Sequence, residues 1–326
     1  MKVSVIATVL NEGDSIERLL ESLAAQSRLP DEVVIADGGS TDGTVEVLER
    51  WAALDLLPLR ILHTPGANIS AGRNAAIAAA TGEVIASVDA GVRLDPGWLA
   101  ALTAPFAAEE VAVVAGWFVA DPHTLFETAM GATVLPHLRE IKPETFLPSS
   151  RSVAFRKAAW EAVGGYPEWI DYCEDLIFDL RLKALYGPFV FAPEAVVHFR
   201  PRGSLRAFFK QYYHYARGDG KADLWRRRHA IRYLTYLVAT PLLLALTLFH
   251  SPAWVLALLG GAAVYTATPY RRLMPMLAPY GPADRLKAIL WVPIIRLVGD
   301  VAKMVGYPVG LAWRRRNRHR PELHWR

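Results

Sequence analysis

Along residues 1 to 118, short apolar runs alternate with stretches of helical periodicity, and no other feature restricts the fold as much. The runs are Val3 to Val9, Glu32 to Ala36, Leu59 to His63, Val84 to Val88 and Val111 to Trp117. After the first, Ile16, Leu19, Leu20 and Leu23 recur at helical spacing behind Asp14 or Ser15, either of which can cap a helix. A second helix is expected from Asn68 to Ser70 through "AGRNAAIAAA" until Gly82 stops it. Such alternation predicts an α/β domain with a mainly parallel, Rossmann-like central sheet.

Residues 119 to 150 break this rhythm with scattered prolines and weak periodicity, and read as a long excursion near a site. Order returns with a short strand at Ser152, a helix from Arg156 to Val163, a "GGYPE" turn, a helix through "EDLIFDLRLKAL" and a strand pair around Phe189 to His198.

Charge divides the chain in two. Residues 1 to 200 hold 15 Lys and Arg against 27 Asp and Glu, whereas residues 201 to 326 hold 21 against 5. An acidic globular part followed by a basic part points to anionic lipid or nucleic acid as a partner. The uncharged runs "YLTYLVATPLLLALTLF" and "AWVLALLGGAAVYTA" favour lipid over nucleic acid. They read as a helical hairpin over about 233–267, with basic clusters at Arg226 to Arg228 and at Arg271 and Arg272 holding both ends in the cytosol. A further stretch, about 286–312, carries Arg296, Asp300 and Lys303 on one helical face and reads as an interfacial helix in preference to a third span, followed by a basic tail. With one cysteine, Cys173, and no leader pattern in "MKVSVIATVL", a reducing, cytosolic setting for the N-terminal part is expected.

Chemistry concentrates where strands end. In an open α/β sheet the ligand crevice lies beyond the carboxyl ends of the strands, which is where Asn11, Glu12, Asp37 and Asp89 fall. Carboxylates gathered on one edge repel unless they meet a cation or hydrogen-bond donors such as a nucleobase or ribose hydroxyls. Asp89 is followed by Ala90 and Gly91, small residues that leave room for something large and charged, although a tight surface turn has the same composition.

The ordered series "TVLNEGDSI", "VIADGGSTDGT", "GRNAAIAAATGEVIASVDAG", "GGYPE", "CEDLIFDLRL" and "QYYHYARGDG" resembles family 2 glycosyltransferases over roughly residues 1 to 225. The resemblance implies the GT-A fold, with a nucleotide-sugar-binding half at 1–118, an acceptor-binding and catalytic half at 119–225, and membrane-associated helices with a basic tail at 226–326. It implies that Asp37 meets the donor base, with Glu12 and the Thr8 to Leu10 backbone near the nucleoside and Asn11 and Gly39 also among the donor-binding residues. Arg73 would reach the diphosphate, and Gln211 and Arg217 would close over it. Asp89 with Ala90 occupies the place of an Asp-X-Asp motif, so Asp89 is the first candidate ligand for Mg²⁺ or Mn²⁺, and His198 a second. Asp175 matches the aspartate that takes the acceptor proton during inverting transfer, and Glu174 would hydrogen-bond the acceptor or orient the loop.

Plainer readings stand beside these: helix capping for Glu12 and Asp42, a salt bridge for Arg73, an ordinary hydrogen-bonded imidazole for His198, and helix-opening acids for Glu174 and Asp175. Asp95 reads as a cap before Pro96. "QYYHYARG" departs from the Gln-X-X-Arg-Trp of processive relatives, which favours transfer of a single sugar. The expected protein is a membrane-attached, metal-dependent hexosyltransferase facing the cytosol. Its partners would be a UDP- or GDP-linked sugar donor, a lipid-linked or glycan acceptor and membrane lipid, with no nucleic acid. A non-catalytic scaffold and a sugar-nucleotide nucleotidyltransferase are the alternatives.

Overall fold

The computed structural model describes residues 1–13 and 15–325, so the cap read for Asp14 lies outside the described residues. Contacts divide the chain into two compact units, one formed by Met1–Asp121 with Leu138–Arg200 and the other by Pro122–His137 with Pro201–Trp325. Residues 119–225 thus fall partly in each unit.

The first unit is built on one eight-stranded sheet: β1 (Val3–Val9), β2 (Glu32–Asp37), β3 (Leu59–His63), β4 (Val84–Ser87), β5 (Val92–Leu94), β6 (Val113–Ala120), β7 (Val153–Arg156) and β8 (Val190–Phe199). The strand order is β3-β2-β1-β4-β7-β6-β8-β5. β1 pairs in parallel with both β2 and β4, whereas β7 runs antiparallel to β4 and β6. The mainly parallel α/β sheet read from the alternation is present.

Side-chain parity then assigns the layers. Val3, Val5, Ala7 and Val9 of β1 face one side and meet Ile16, Leu19, Leu20 and Leu23 of α1 (Ser15–Ala24) together with Leu48 of α2 (Thr44–Ala53). Ile6 faces the other side and packs with Ala76 and Ile77 of α3 (Ile69–Ala79). Each fully buried Leu or Ile contributes about 1.5–3 kcal/mol. Both faces are covered, which is why the parallel strands read as continuous apolar runs. Trp98 and Leu99 of α4 (Trp98–Thr103) join the first layer.

Two sequence expectations change. In place of a strand pair at Phe189 to His198 there is one strand, β8, whose ladder with β6 shifts between the Phe191 and Val196 pairings. Pro193 lies in that gap and has no N–H to donate, so one strand presents two short ladders. Within 119–150 a helix, α5 (Leu125–Val134), went unread. Residues Glu127 to Thr133 are all buried, so α5 shows no polar face and hence no amphipathic signature. Two further helices complete the first unit, α6 (Lys157–Ala162) and α7 (Glu174–Tyr186).

The second unit contains α5 with α8 (Leu205–Ala222), α9 (Arg226–Leu234), α10 (Thr240–Phe249), α11 (Val255–Met276) and α12 (Pro282–Arg316). α9 and α10 run on through a π-helical turn, Thr235–Ala239, so that Arg226–Phe249 is a helix long and apolar enough to cross a membrane. α11 follows it but is not, among the described residues, a helix long and apolar enough to cross a membrane, so by that measure one arm of the expected hairpin is present.

α12 lies against α8 through glycines. A Cβ on Gly306 would collide with the Tyr213 carbonyl, one on Gly310 with that of Arg217, and one on Gly220 with that of Tyr307. Its opposite face shows Leu286, Leu290, Ile294, Leu297, Val301, Val305 and Val309, all exposed and three or four residues apart. Arg296, Asp300 and Lys303 do share a face, but that face turns toward tyrosines of the same unit: Arg296 lies over Tyr265 and Lys303 over Tyr212.

Candidate active site

β1, β2 and β4 end at one sheet edge, and the reversal of strand order on either side of β1 opens a crevice there. Three segments supply its walls.

The first is the turn after β2. Asp37 is buried, and its carboxylate accepts the backbone N–H of Gly39 at 3.0 Å and of Ser40 at 3.1 Å. Gly39 takes φ +101°, a conformation that side chains oppose, so the loop depends on both the carboxylate and the glycine. Asn11, itself left-handed at φ 56°, clips this loop to the end of β1: its Oδ1 accepts Thr41 N–H at 2.9 Å, and its N–H donates to Ser40 Oγ at 2.9 Å. Leu10 is exposed beside it, and Thr8 within β1 sits against Gly72. Glu12 Oε2 accepts the Ser15 side-chain Oγ–H at 2.6 Å beside the start of α1, a contact that caps no backbone N–H, whereas Asp42 Oδ1 accepts Thr44 N–H at 3.2 Å just ahead of α2, whose N-cap position is Gly43.

The second segment is α3. Asn68 caps it by accepting Ala71 N–H at 2.9 Å. Arg73, one turn in, is 3% exposed, and its guanidinium donates from Nη2 to Asp89 Oδ1 at 2.9 Å and from Nη1 to Glu174 Oε1 at 2.8 Å. One buried cation thus joins residues 16 and 101 positions away. Burial works against that charge, but Asp89 and then Glu174 outweigh it and hold the guanidinium protonated. Arg73 here grips protein carboxylates, which is the salt-bridge alternative to the diphosphate contact expected of it. Asn74 next to it ties down the "GGYPE" turn, donating to the Tyr166 carbonyl at 2.9 Å and accepting Tyr166 N–H at 2.9 Å. Gly165, at φ +71°, passes so close that a Cβ would stand 2.8 Å from Asn74 Oδ1.

The third segment opens α7. Cys173 takes φ 69°, turning Glu174 and Asp175 into the first helical turn. Burial, and then Asp175 beside it, push the Glu174 carboxyl up to about 7 against the pull of Arg73. Asp175 is also raised, by burial first, with Arg73 opposing. Its Oδ1 accepts the N–H of Leu176 at 2.8 Å. One turn further, Asp179 is 2% exposed, its Oδ2 has no hydrogen-bond partner, and burial followed by Asp175 holds its carboxyl well above the usual range.

Arg151, Asp179 and Tyr166 were not read from the sequence as site residues. β4 and β7 pair antiparallel with Ser87 opposite Val153, and continuing that register sets Arg151 across from Asp89. Arg151 Nε lies 3.6 Å from Asp89 Oδ2, and its guanidinium rests 4.2 Å from the Phe199 ring centroid and 5.4 Å from that of Phe118. A lone cation before a strand carries no signal of this until the register is known. Tyr166 stacks on Phe178 at 4.0 Å and lies 5.3 Å from the Arg73 guanidinium carbon. The "GGYPE" motif was visible, but its target was not.

The other positions read from the sequence are placed as follows. Ala90 is buried among Val88 and Val92. His198, opposite Arg93 in the β5–β8 ladder, directs Nε2 to Asp95 Oδ1 at 2.6 Å, so that nitrogen is engaged. Asp95 for the same reason does not cap α4 with its side chain; the position before that helix is Gly97. Gln211 and Arg217 lie on α8 in the second unit, where Gln211 Nε2 donates to the Tyr215 hydroxyl at 2.9 Å.

For a divalent cation the protein offers little alone. Among the described residues no three His, Cys, Asp or Glu side chains gather as a ligand set. Asp89 is about one-third exposed, and each of its oxygens faces a guanidinium. A carboxylate so placed fits a cation shared with a donor's phosphates, not one held by protein ligands only.

A family model described as Glycosyl transferase family 2 matches residues 4–160, and one described as Glycosyl transferase family group 2 matches residues 84–283. Succinoglycan biosynthesis protein ExoA of Rhizobium meliloti (strain 1021) is 31% identical over 314 residues, covering 88% of this chain and 90% of its own. The N-acetylglucosaminyl-diphospho-decaprenol L-rhamnosyltransferase of Mycobacterium tuberculosis (strain ATCC 25618 / H37Rv) is 26% identical over 266 residues, covering 68% of this chain and 86% of its own. Among solved structures, the mannosyltransferase PcManGT of Pyrobaculum calidifontis, in complex with GDP-Man and Mn²⁺, superposes with a TM-score of 0.63 at 23% identity, over 93% of this chain and 87% of that one. S. aureus TarS with UDP superposes with a TM-score of 0.52 at 19% identity, over 97% and 92%. The fold is GT-A-like, with a C-terminal helical region.

Proposed function

Because the chain belongs to glycosyl transferase family 2, we propose that it moves one sugar from a nucleoside-diphosphate donor to a lipid-linked or glycan acceptor, with inversion, at the cytosolic face of a membrane. The observation that carries this is the Arg73 bridge, which gathers "GRN", "VDAG" and "CED" at one sheet edge. Solved neighbours in complex with GDP-Man and Mn²⁺ and with UDP, and a relative named for a diphospho-decaprenol substrate, support the donor and acceptor classes.

In this reading the acceptor hydroxyl attacks the anomeric carbon from the face opposite the diphosphate. The new C–O bond forms as the bond to the diphosphate breaks, and the hydroxyl proton passes to Asp175. The Leu176 N–H fixes one Asp175 oxygen, leaving Oδ2 for the proton, and burial makes the group a stronger base than an exposed aspartate. Glu174, anchored on Arg73, orients the turn. Mg²⁺ or Mn²⁺, with Asp89 as its protein ligand, would neutralise charge on the leaving diphosphate. Arg151 sits beside Asp89 as a second source of positive charge. Asp37, Gly39 and the Thr8 to Glu12 segment would line the nucleoside side.

Attachment to the membrane falls to the second unit. Leu248, Phe249 and Val264 are 75%, 88% and 80% exposed, and the α12 stripe adds a band of aliphatic side chains. Apolar surface of this extent favours lipid contact. The deciding experiment screens UDP- and GDP-sugars against full-length protein in detergent, comparing wild type with Asp175→Asn. Donor binding should persist in the variant while transfer falls by about 10²–10⁴-fold; undiminished transfer would remove Asp175 as the base.

A further inference from the structure

The helix Arg226–Phe249 and α11 are tied together at a polar foot. The hydroxyls of Tyr236 and Tyr265 lie 2.9 Å apart, and both reach Asp300 Oδ2 on α12, at 3.1 and 2.7 Å. One turn earlier, Arg232 donates from Nε to Asp300 Oδ1 at 2.7 Å, and the Tyr233 hydroxyl donates to the Met304 carbonyl at 2.7 Å. The ionised side chains of both arms sit at or below this foot, since no Asp, Glu, Lys or Arg occurs between Arg232 and Arg271. Above it the arms are short. Leu237 to Phe249 makes 13 residues and Val255 to Val264 makes 10, which as helix reach about 20 and about 15 Å. A hydrocarbon core is about 30 Å thick. Among the described residues none from Leu237 to Val264 is buried, so this whole length is open to lipid. Arg226–Phe249 has the residue count of a span, but Arg226 to Tyr236 lie at the foot or below it.

The turn between the arms closes its own hydrogen bonds. The N–H groups of His250 and Ser251 both donate to the Leu246 carbonyl, at 3.0 and 2.9 Å, and Trp254 N–H donates to the Ser251 carbonyl at 3.1 Å. Ala253 N–H donates to Ser251 Oγ at 3.3 Å, and Val255 N–H to the carbonyls of Pro252 and Ala253. Pro252 has no N–H, so every backbone donor from His250 to Val255 is answered inside the turn. The Trp254 indole N–H finds His250 Nδ1 at 3.4 Å. A loop bathed in water has no need of such closure, whereas an unanswered donor in hydrocarbon is strongly unfavourable.

We propose that this hairpin is a re-entrant wedge whose partner is the acyl-chain layer of a single leaflet. It enters from the cytosolic face, turns inside the hydrocarbon and returns to the same face, with its tip never reaching water on the far side. Apolar segments of 10 to 14 residues suit that course better than a span, and arms of this length end near the bilayer midplane. Tyr236 and Tyr265 stand at the depth where amphipathic rings settle, between headgroups and chains. Beside Asp300 on α12, exposed Leu297 and Val301 continue the apolar surface at the level of the foot. The wedge rests on the membrane attachment proposed above and is independent of the transfer chemistry.

The test expresses the full chain in bacteria and prepares the membranes as inside-out and as right-side-out vesicles. A membrane-impermeant maleimide is applied to Ala253→Cys at the tip and to Arg227→Cys below the foot, each read above wild type, whose one cysteine is Cys173. Arg227→Cys should label in inside-out vesicles only. Ala253→Cys should label in neither preparation and should label once detergent dissolves the membrane. A bimane carried on Ala253→Cys should be quenched more by lipids spin-labelled at the chain end than by lipids labelled in the headgroup. Labelling of Ala253→Cys in right-side-out vesicles, or stronger quenching from the headgroup, overturns the wedge and leaves the attachment standing. Ala253 is exposed, so a second variant is open at the same position: Ala253→Arg sets a charge near the bilayer centre and should lower membrane retention about a hundredfold. Undiminished retention of that variant also overturns the wedge. Release of wild type from the membranes by high salt alone would refute the attachment itself, and the wedge with it.

Discussion

Replacing Arg73 with methionine probes the bridge that assembles the site, and its effect should depend on pH in a way that a loss of packing would not. Removing one partner of a buried ion pair costs about 3–5 kcal/mol, because the other charge is left behind. Asp89 is about one-third exposed, so water screens its share, and the penalty falls mainly on Glu174, 7% exposed. A buried carboxylate escapes that penalty by taking up a proton. In the wild type Glu174 titrates near 7 against an ordinary value of about 4.3, so its contribution to stability is complete below pH 4, is lost as the pH rises through 7, and is constant above that. Without Arg73 the carboxyl titrates higher still, and the loss continues past 7. The difference between variant and wild type should then be flat below pH 7 and grow by up to about 1.4 kcal/mol per unit above it. The destabilisation at pH 8.5 should exceed that at pH 6 by about 2 kcal/mol. Urea denaturation of the full chain in detergent at the two pH values reads the difference. Equal destabilisation at both would refute the argument.

Asp179→Asn should stabilise the protein as the pH rises above 4. The folded wild type keeps that carboxyl protonated while the unfolded chain ionises, which costs about 1.4 kcal/mol for each unit over which only the unfolded chain is charged; thermal melts at pH 5 and pH 7.5 show whether the advantage grows. Arg151→Met should weaken binding of a nucleoside diphosphate roughly 10–100-fold, as expected for one charge-assisted hydrogen bond, and leave nucleoside monophosphate affinity unchanged in calorimetry. Gly306→Val should force α12 away from α8, where a Cβ already meets the Tyr213 carbonyl, and lower the yield of folded protein, whereas Gly260→Ala, which meets nothing within 4 Å, should not; monodispersity in detergent compares the two.

How much of the fold the sequence exposed follows from where water reaches. α1 has one wet face and one dry face, so Ile16, Leu19, Leu20 and Leu23 announce it. α5 is dry on all sides and announces nothing. β8 has a proline at a register shift and looks like two strands. α12 misleads in another way: Arg296, Asp300 and Lys303 read as the wet face of an interfacial helix, yet they turn to tyrosines of neighbouring helices and leave the aliphatic stripe exposed.

The site was legible wherever a residue acts on its own loop and hidden wherever it acts through a partner. Asp37 and Gly39 form a turn within four positions, so their geometry is local and the motif suffices. Arg73 was found as a cation near a helix start, but its target depended on whether α7 would arrive within reach, which no spacing encodes. Arg151 is the extreme case. Its place beside Asp89 follows from the antiparallel register of β4 and β7, and a slip of one residue would turn it to the opposite face of the sheet. The Asp89-Ala90-Gly91 turn thus has, across the sheet, a guanidinium beside its one carboxylate. In the transfer reading proposed above that guanidinium, held just before β7, supplies positive charge to the diphosphate, and the diphosphate-specific loss expected of Arg151→Met measures how much.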